Sequence, residues 1–557
     1  MASSVMPVQV CIARPEERIC PPWCLCAVVL FGALYGLVHT ALRLAFSHSL
    51  SLDDASANVL GQTLSLGYQE RQPPVYEWIL WTVQQVTGPG LMGFLLIKYG
   101  LLIATFVFLY LVAQRLFDDR RWVVIASLSP LLLYQIGWNL HEGVTHSLVM
   151  TCAIAASFWA FMRLVESGRL GDYVLFGVVA GIGLLTKYGF AAYLIILCNC
   201  ALIQPALRAR LLDRRMLASV GIAAAIVAPF GYWLIANDHD LVRVFDSTVA
   251  PMASNRLTAT MTGLAFASWA PLGFLFPLDL ILLVMFPALL REGWSRIKQG
   301  VLPRDRAQAG PDWPLLLLHM TLAGFVFLFL GAVLTGASNY LERYMHPFFF
   351  FTPLWLLRVA AQDAPARRPV AIGAVLLAVT LMVVPIRAVY LARAMSPDCN
   401  HCRLAVPYEG LAKELEARGF GGGTLIVMDR NDGGNLRRFL PEARIVSLRR
   451  PYHLPPVRPQ DLTAPAVVVC VRLAGRASGP WLRRPFGRLT ERSSASRRPC
   501  TCRGSLSAAH PNRKPGSGGL RSCSHPPGLD VSHPDRTCSG NTRRHLISFA
   551  CRKVARG

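Results

Sequence analysis

Apolar segments of about twenty residues recur along most of this chain, and they constrain its fold more strongly than any other feature. A helix needs roughly twenty apolar residues to cross the hydrocarbon core of a bilayer. Only 16% of the residues are charged, whereas about 25% is usual for a soluble domain. The sequence therefore predicts an all-α polytopic membrane protein with about 11 transmembrane helices. The predicted spans are 23–47, 91–113, 122–139, 144–164, 173–186, 189–205, 216–236, 262–290, 314–335, 346–360 and 370–394.

The positive charge of the chain follows its predicted topology. From Arg476 to the end, 17 Lys and Arg accompany 3 Asp and Glu, which is more than half of the net charge of +24. Much of the remainder lies in short loops between apolar segments, where the positive-inside rule expects it on the cytoplasmic side. The charge therefore indicates topology, and we expect no nucleic-acid partner. The predicted cytoplasmic loops are 114–122, 163–173, 208–216, 291–306 and 358–369.

The remaining connections are poorer in Lys and Arg, which places them on the outer, periplasmic side. They are 48–90, 139–143, 237–261, 336–345 and the chain after about residue 395. The predicted organisation is a cytoplasmic N-terminus (1–22), a transmembrane domain (23–394) that contains the periplasmic loop 48–90, a small periplasmic α/β domain (395–474) and a basic tail (475–557).

The last two segments differ sharply in composition. Residues 408–420 have apolar residues at helical spacing, and 421–429, 443–448 and 464–471 read as strands. The tail is rich in Arg, Ser, Pro, Cys and His and has no apolar periodicity. It is either a disordered basic segment or the translation of a wrong reading frame. In the second case the small domain would be truncated after its third strand and this copy would be inactive.

Two adjacent carboxylates, Asp53 and Asp54, follow the first span on the outer side. Charged groups at a membrane edge are costly unless they face water, each other or a ligand. Other outer loops supply cations, among them Lys187 and Arg343. A carboxylate can take the proton of an attacking hydroxyl, and cations can hold a phosphate leaving group. Transfer of a sugar from a lipid phosphate needs this combination of groups.

The stretch "DDASANVLGQTLSLGYQERQPPVYEWILW" (53–81) resembles the first periplasmic loop of polyprenyl-phosphate-sugar-dependent glycosyltransferases of the GT-C superfamily. These include protein O-mannosyltransferases, lipid A aminoarabinose transferases and rhizobial lipopolysaccharide galacturonosyltransferases. The matching elements are an acidic pair followed by Ala55, a Gly67-Tyr68 turn and a Pro-Pro-x-Tyr-x-Trp run that ends at Trp78. Weaker similarity continues, in the family's order, through 181–197, 228–238 and 342–355.

The resemblance implies an inverting glycosyltransferase of the bacterial inner membrane, with its active site on the periplasmic side and membrane lipids around it. Its donor would be a polyprenyl-phosphate sugar, and its acceptor a glycolipid, lipopolysaccharide or other glycan. Asp53 would be the catalytic base. Asp54 would orient the base or bind metal; it stands where the family more often has Glu, which keeps the charge but shortens the side chain.

The resemblance also implies roles for residues of later loops. Lys187, Arg343 and Arg256 would bind the donor phosphate, and Tyr76, His141, Glu142 and Glu342 would contact the substrates. Some relatives hold a divalent metal near the carboxylates, for which Asp54 and Glu142 are the candidate ligands; the sequence itself requires no cofactor. The family often has an Asp in the second periplasmic loop, whereas "WNLHEGVTHS" (138–147) offers Glu142 or His146 in its place.

Simpler roles remain open for several of these residues. Ser51 could cap an amphipathic helix with an apolar face at Ala57, Leu60 and Leu64, and the acidic pair would then favour the start of that helix. Lys187 could extend to the interface from a span end, and Arg343 could pair with Glu342. A lipid-linked-sugar flippase without transferase activity would use the same charged cavity for binding alone.

Cys399 and Cys402 form a compact pair outside the membrane. A single CxxC pair is a poor zinc site, and no thioredoxin-like pattern surrounds it. In an oxidising periplasm we expect a structural disulfide at this position.

Overall fold

Six helices within the described part of the chain are long and apolar enough to cross a membrane. All six coincide with predicted spans, and they are Cys24–Phe46, Leu91–Ala113, His146–Ser167, Met216–Ala236, Trp313–Thr335 and Arg368–Ala394. Two shorter apolar helices, Leu170–Leu184 and Gly189–Ile203, flank Lys187. The chain is therefore a largely helical membrane protein.

The computed structural model describes residues 22–143, 145–239, 255–287, 291, 294–295, 310–362, 365, 367–395, 403–448, 454–459, 461, 466–473 and 548–554. Its helices are α1 (Pro22–Phe46), α2 (Leu52–Leu60), α3 (Val75–Thr87), α4 (Leu91–Ala113), α5 (Arg120–Leu128), α6 (Tyr134–Gly137), α7 (Leu140–Gly143), α8 (Thr145–Ser167), α9 (Leu170–Leu184), α10 (Gly189–Ile203), α11 (Pro205–Leu211), α12 (Met216–Ala236), α13 (Arg256–Leu275), α14 (Leu278–Met285), α15 (Trp313–Thr335), α16 (His346–Phe349), α17 (Thr352–Ala361), α18 (Arg368–Ala394), α19 (Tyr408–Ala417) and α20 (Arg430–Arg437).

Three of the predicted spans are divided into shorter pieces. The segment 122–139 contains α5, a 3₁₀ turn at Ser129–Leu132 and α6. A proline ring removes a backbone donor and disfavours helix in the residue before it. Pro130 lies within the 3₁₀ turn, and Pro277 separates α13 from α14 within 262–290. The segment 346–360 is likewise divided into α16 and α17.

Two helices, α2 and α3, lie between the first two long apolar helices, α1 and α4. Helix α2 has Ser51 at its N-cap position, but the Ser51 hydroxyl makes no capping hydrogen bond to the backbone. It donates instead to the Asp54 carboxylate over 2.8 Å. The predicted apolar face holds for Ala57 and Leu60, which are buried, and is wrong for Leu64, which is 58% exposed because the helix ends at Leu60.

The chain after residue 403 forms a βαβ arrangement. Strands β1 (Gly423–Val427), β2 (Ala443–Ser447), β3 (Val467–Leu473) and β4 (Ser548–Val554) make a parallel sheet in the order β2-β1-β3-β4. Helix α20 connects β1 to β2, as a parallel pair requires a crossover. Apart from 548–554, residues 474–557 lie outside the described residues, so the predicted character of the tail stays a prediction.

Two hydrophobic cores organise the described residues. The larger core joins the membrane helices. The smaller core lies under the sheet, where Leu425, Ile445 and Leu436 are fully buried. Val59 of α2 also belongs to this smaller core. Helix α2 is therefore packed against the C-terminal βαβ module.

Candidate active site

The two adjacent carboxylates of α2 lie in different environments. Neighbouring side chains on an α-helix point about 100° apart, because one turn takes 3.6 residues. Asp54 is 3% exposed, whereas the side chain of Asp53 is exposed. Of the pair, Asp53 is the carboxylate that a substrate can reach.

Asp54 is held by two neighbours. Its Oδ2 accepts the hydrogen bond of the Ser51 hydroxyl and lies 3.9 Å from Nζ of Lys98, which belongs to α4. Both charged side chains are buried. Since an isolated buried charge is very unfavourable, pairing the two groups offsets part of the cost of burying them. Asp54 thus anchors α2 to the membrane helices.

Asp53 lies near basic side chains from three later segments. Although the side chain of Asp53 is accessible, the protein around it removes part of its hydration; this desolvation, and next the Asp54 charge, raise the pKa of its carboxyl above the usual value. His146, Arg343 and Lys187 oppose this change in the pKa. The structure therefore brings the predicted base near two of the three predicted phosphate-binding residues.

The end of α7 approaches Asp53 closely. Gly143 has φ +135°, a conformation that favours glycine. A Cβ placed on Gly143 would lie 2.9 Å from the Ser51 hydroxyl oxygen and 3.6 Å from Asp53 Cβ. The end of α7, three residues before His146, therefore lies against the first carboxylate.

Lys187 lies in the short turn between α9 and α10, outside both apolar helices. Its Nζ donates to the Ser147 hydroxyl over 2.8 Å and lies 5.8 Å from the centre of the Tyr344 ring. Burial, and next the Arg343 charge, lower the pKa of Lys187 to about 8, while Asp53 acts in the opposite direction. An anion bound here would restore the preference for the protonated amine.

Arg343 lies near the same tyrosine. It is exposed in a 3₁₀ turn, Glu342–Tyr344. Its guanidinium carbon lies 5.2 Å from the Tyr344 ring centre, and its Nη2 donates to the Tyr344 hydroxyl over 3.3 Å. Tyr344 therefore orders both cations. Glu342 is exposed beside Gly273 of α13.

A buried acid–histidine pair adjoins this site. Glu77 of α3 is 1% exposed, and its Oε1 lies 3.3 Å from Nε2 of His146. The buried ring of Tyr76 lies 5.0 Å from the His146 ring. Sequence reasoning named His146 as a substitute for the missing family Asp but gave Glu77 no role. A glutamate in the first turn of an apolar helix is the signal that could have identified it.

His141 and Glu142 contact a buried polar network. The His141 ring nitrogens lie 2.8 Å from the Tyr35 hydroxyl and 3.0 Å from the Tyr99 hydroxyl. Glu142 Oε1 lies 3.8 Å from Nε of Arg387, a fully buried side chain of α18. Arg387 was missed, although a single arginine within an apolar span indicates such a partner.

Three further residues were singled out from the sequence: Arg256, Cys399 and Cys402. Arg256 begins α13 and donates from Nη2 to the carbonyl oxygen of Leu334 over 3.2 Å, at the end of α15. Cys399 and Cys402 lie outside the described residues, so their disulfide stays a prediction.

The donor groups at this site do not fit a divalent metal. Oxygen-rich metal sites collect several carboxylates, but Asp54 faces Lys98 and Glu142 faces Arg387. No group of three or more His, Cys, Asp and Glu arranged to hold a metal occurs among the residues that the structure describes. Asp54 and Glu142 are thus each paired with a basic side chain of the protein.

Comparisons with known proteins agree with the sequence resemblance. Residues 71–233 match the dolichyl-phosphate-mannose-protein mannosyltransferase family. The chain is 28% identical to the lipopolysaccharide core galacturonosyltransferase RgtA of Rhizobium johnstonii, over 75% of this chain and 81% of the relative. It is also 28% identical to RgtB of the same organism, over 78% of this chain and 84% of the relative.

Among solved structures, the chain is similar to ArnT from Cupriavidus metallidurans bound to undecaprenyl phosphate. The TM-score is 0.47 at 17% identity, over 78% of this chain and 87% of ArnT. Taken together, the family match and the two curated relatives confirm the resemblance to the polyprenyl-phosphate-sugar-dependent glycosyltransferases. The chain is a membrane-embedded glycosyltransferase.

Proposed function

We propose that this glycosyltransferase moves a sugar from a polyprenyl-phosphate donor to lipopolysaccharide or a related envelope glycan, with inversion at the anomeric carbon. One observation carries the proposal: Asp53 is an accessible carboxylate near two cations, Lys187 and Arg343, that share the Tyr344 ring. This arrangement matches a base on one side of the anomeric carbon and a phosphate-binding pair on the other.

In the proposed reaction, Asp53 accepts the proton of an acceptor hydroxyl. At the same time the oxygen of that hydroxyl forms a bond to the anomeric carbon of the donor sugar. The bond between that carbon and the phosphate oxygen breaks, and its electron pair stays on the phosphate. Attack opposite the leaving group inverts the anomeric configuration. A raised pKa makes Asp53 a stronger base than an ordinary aspartate.

Lys187 and Arg343 stabilise the departing polyprenyl phosphate. The two cations repel each other, which contributes to the lowered pKa of Lys187. A phosphate between them would remove this repulsion and gain charge-assisted hydrogen bonds. The stabilisation grows as negative charge develops on the leaving oxygen, so it favours the transition state over the bound donor.

The protein has more membrane spans, in this proposal, than the six long apolar helices. We infer that the shorter and divided segments complete about 11 spans, with the Asp53 site and the βαβ module on the periplasmic side of the bacterial inner membrane. The support is the basic composition of the opposite loops, such as 114–122 and 208–216. A hydrophobic donor tail would then enter from the bilayer.

The two curated relatives suggest the first substrates to assay. Both are named lipopolysaccharide core galacturonosyltransferases, so we propose galacturonic acid as the sugar and the lipopolysaccharide core as the acceptor. A flippase without transferase activity is not favoured, because both relatives are named as transferases.

A deletion strain tests the function. Mass spectrometry of its lipopolysaccharide should show loss of a sugar that plasmid-borne wild-type protein restores, together with accumulation of the polyprenyl-phosphate donor. Complementation with Asp53→Asn should fail at equal protein level. An unchanged set of envelope glycans in the deletion strain would contradict the proposal. Restoration by Asp53→Asn would support a role in donor transport.

A further inference from the structure

Helix α20 of the C-terminal module makes an unusually close contact with α2, the helix that carries Asp53. Both Gly433 and Gly434 lie in this contact. A Cβ at position 434 would overlap the backbone of Ala55, including its carbonyl oxygen. A Cβ at position 433 would lie 3.3 Å from Val59 and under 3.0 Å from side chains of both β1 and β2. Only glycine allows the two backbones to approach this closely.

Hydrogen bonds fix α2 at the end nearest the acidic pair. The fully buried Asn435 accepts from the Leu50 backbone N–H over 2.7 Å and donates to the Leu50 carbonyl over 3.4 Å. Leu50 precedes Asp53 by three residues. An amide that both donates to and accepts from one backbone position holds it in register, because displacement would leave buried polar groups without partners.

A second set of hydrogen bonds fixes the far end of the same helix. Arg437 donates from Nη1 to the carbonyl oxygen of Asn58 over 2.6 Å, and to Gln84 Oε1 over 2.9 Å. The Asn58 amide donates in turn to the Gly434 carbonyl over 2.7 Å. Just beyond the helix, Gln62 exchanges two hydrogen bonds with the backbone of Ile445 in β2. All of α2 is thus attached to the module.

We propose that residues 433–437 position Asp53 for the transfer reaction. The inference rests on the proposed function, because it takes Asp53 as the base. The cations for the donor phosphate, Lys187 and Arg343, lie on other elements. Disturbing the contact between α20 and α2 therefore moves the base without moving the phosphate site. A reacting group displaced by about 1 Å can lose roughly a hundredfold in rate.

The test compares Gly434→Ala with Gly410→Ala, a matched change in the same module. Gly410 lies in α19, where no described atom comes within 4 Å of an added Cβ. We expect Gly434→Ala to lower kcat about a hundredfold, with the affinity for polyprenyl phosphate and the donor KM within about twofold of wild type. Gly410→Ala should match wild type in all three.

Asn435→Asp and Arg437→Lys provide milder variants if Gly434→Ala does not fold. Each keeps part of the hydrogen bonding, so we expect intermediate kcat values at unchanged polyprenyl phosphate affinity. An unchanged kcat in these variants would overturn the inference. A parallel fall in kcat, phosphate affinity and Tm would also overturn it, since it would indicate general loss of structure. Asp53→Asn in the same assay separates the two proposals. If that variant stays active, the proposed function is contradicted, whatever the result for residues 433–437.

Discussion

Lys98 of α4 and Asp54 of α2 form a buried ion pair, with Nζ 3.9 Å from Oδ2. Removing one member of a buried pair leaves an uncompensated charge and costs about 3 to 5 kcal/mol. We predict that Asp54→Asn and Lys98→Met each lower the Tm in detergent, and that the double variant recovers much of the loss. Thermal unfolding of the three variants measures this. Additive losses in the double variant would show that the pair is not coupled.

The pH dependence of transfer should have two limbs. Asp53 must be deprotonated, so activity appears as the pH rises through its raised pKa. Lys187 must be protonated, so kcat/KM, which reports the free enzyme, falls as the pH rises through about 8. In Lys187→Arg the side chain stays charged over this range, and we expect the alkaline limb to move to higher pH. An alkaline limb at the same pH in Lys187→Arg would assign it to another group.

His146 connects the buried Glu77 to the Asp53 site. Because His146 helps to lower the pKa of Asp53, we predict that His146→Gln moves the acid limb of the pH profile to higher pH. The contact with Glu77 at 3.3 Å should appear in a double-mutant cycle with Glu77→Gln as a coupling of about 1 to 3 kcal/mol. Tm values and pH–rate profiles of the three variants test both statements. A coupling near zero would mean that the two side chains act independently.

The membrane helices were largely predictable because their signal is local. A run of apolar residues such as 91–113 specifies a span through its composition alone, and α4 has those bounds. The divisions at 122–139 and 262–290 were not predicted, since apolar composition hides the effect of a single proline such as Pro130 or Pro277.

The contacts around the site were less predictable, because they join distant segments. Glu77 and His146 lie 69 positions apart, and nothing local in the sequence pairs them. Helix α20 was missed because Gly433 and Gly434 disfavour helix in isolation. Asp429 caps it by accepting from the Asn431 N–H over 2.8 Å, and packing against α2 stabilises the rest. That stabilisation is tertiary and cannot be read from propensity.

The assignment of Asp53 as the base can be tested with a single substitution, Asp53→Asn. In vesicles supplied with polyprenyl-phosphate galacturonate and lipopolysaccharide core, Asp53→Asn should transfer sugar at least about a hundredfold more slowly than wild type. It should bind polyprenyl phosphate normally, because Lys187 and Arg343 are intact. Asp118→Asn, which changes an exposed acid between α4 and α5, is the matched control and should transfer at the wild-type rate. Transfer by Asp53→Asn at the wild-type rate would show that Asp53 is not the base.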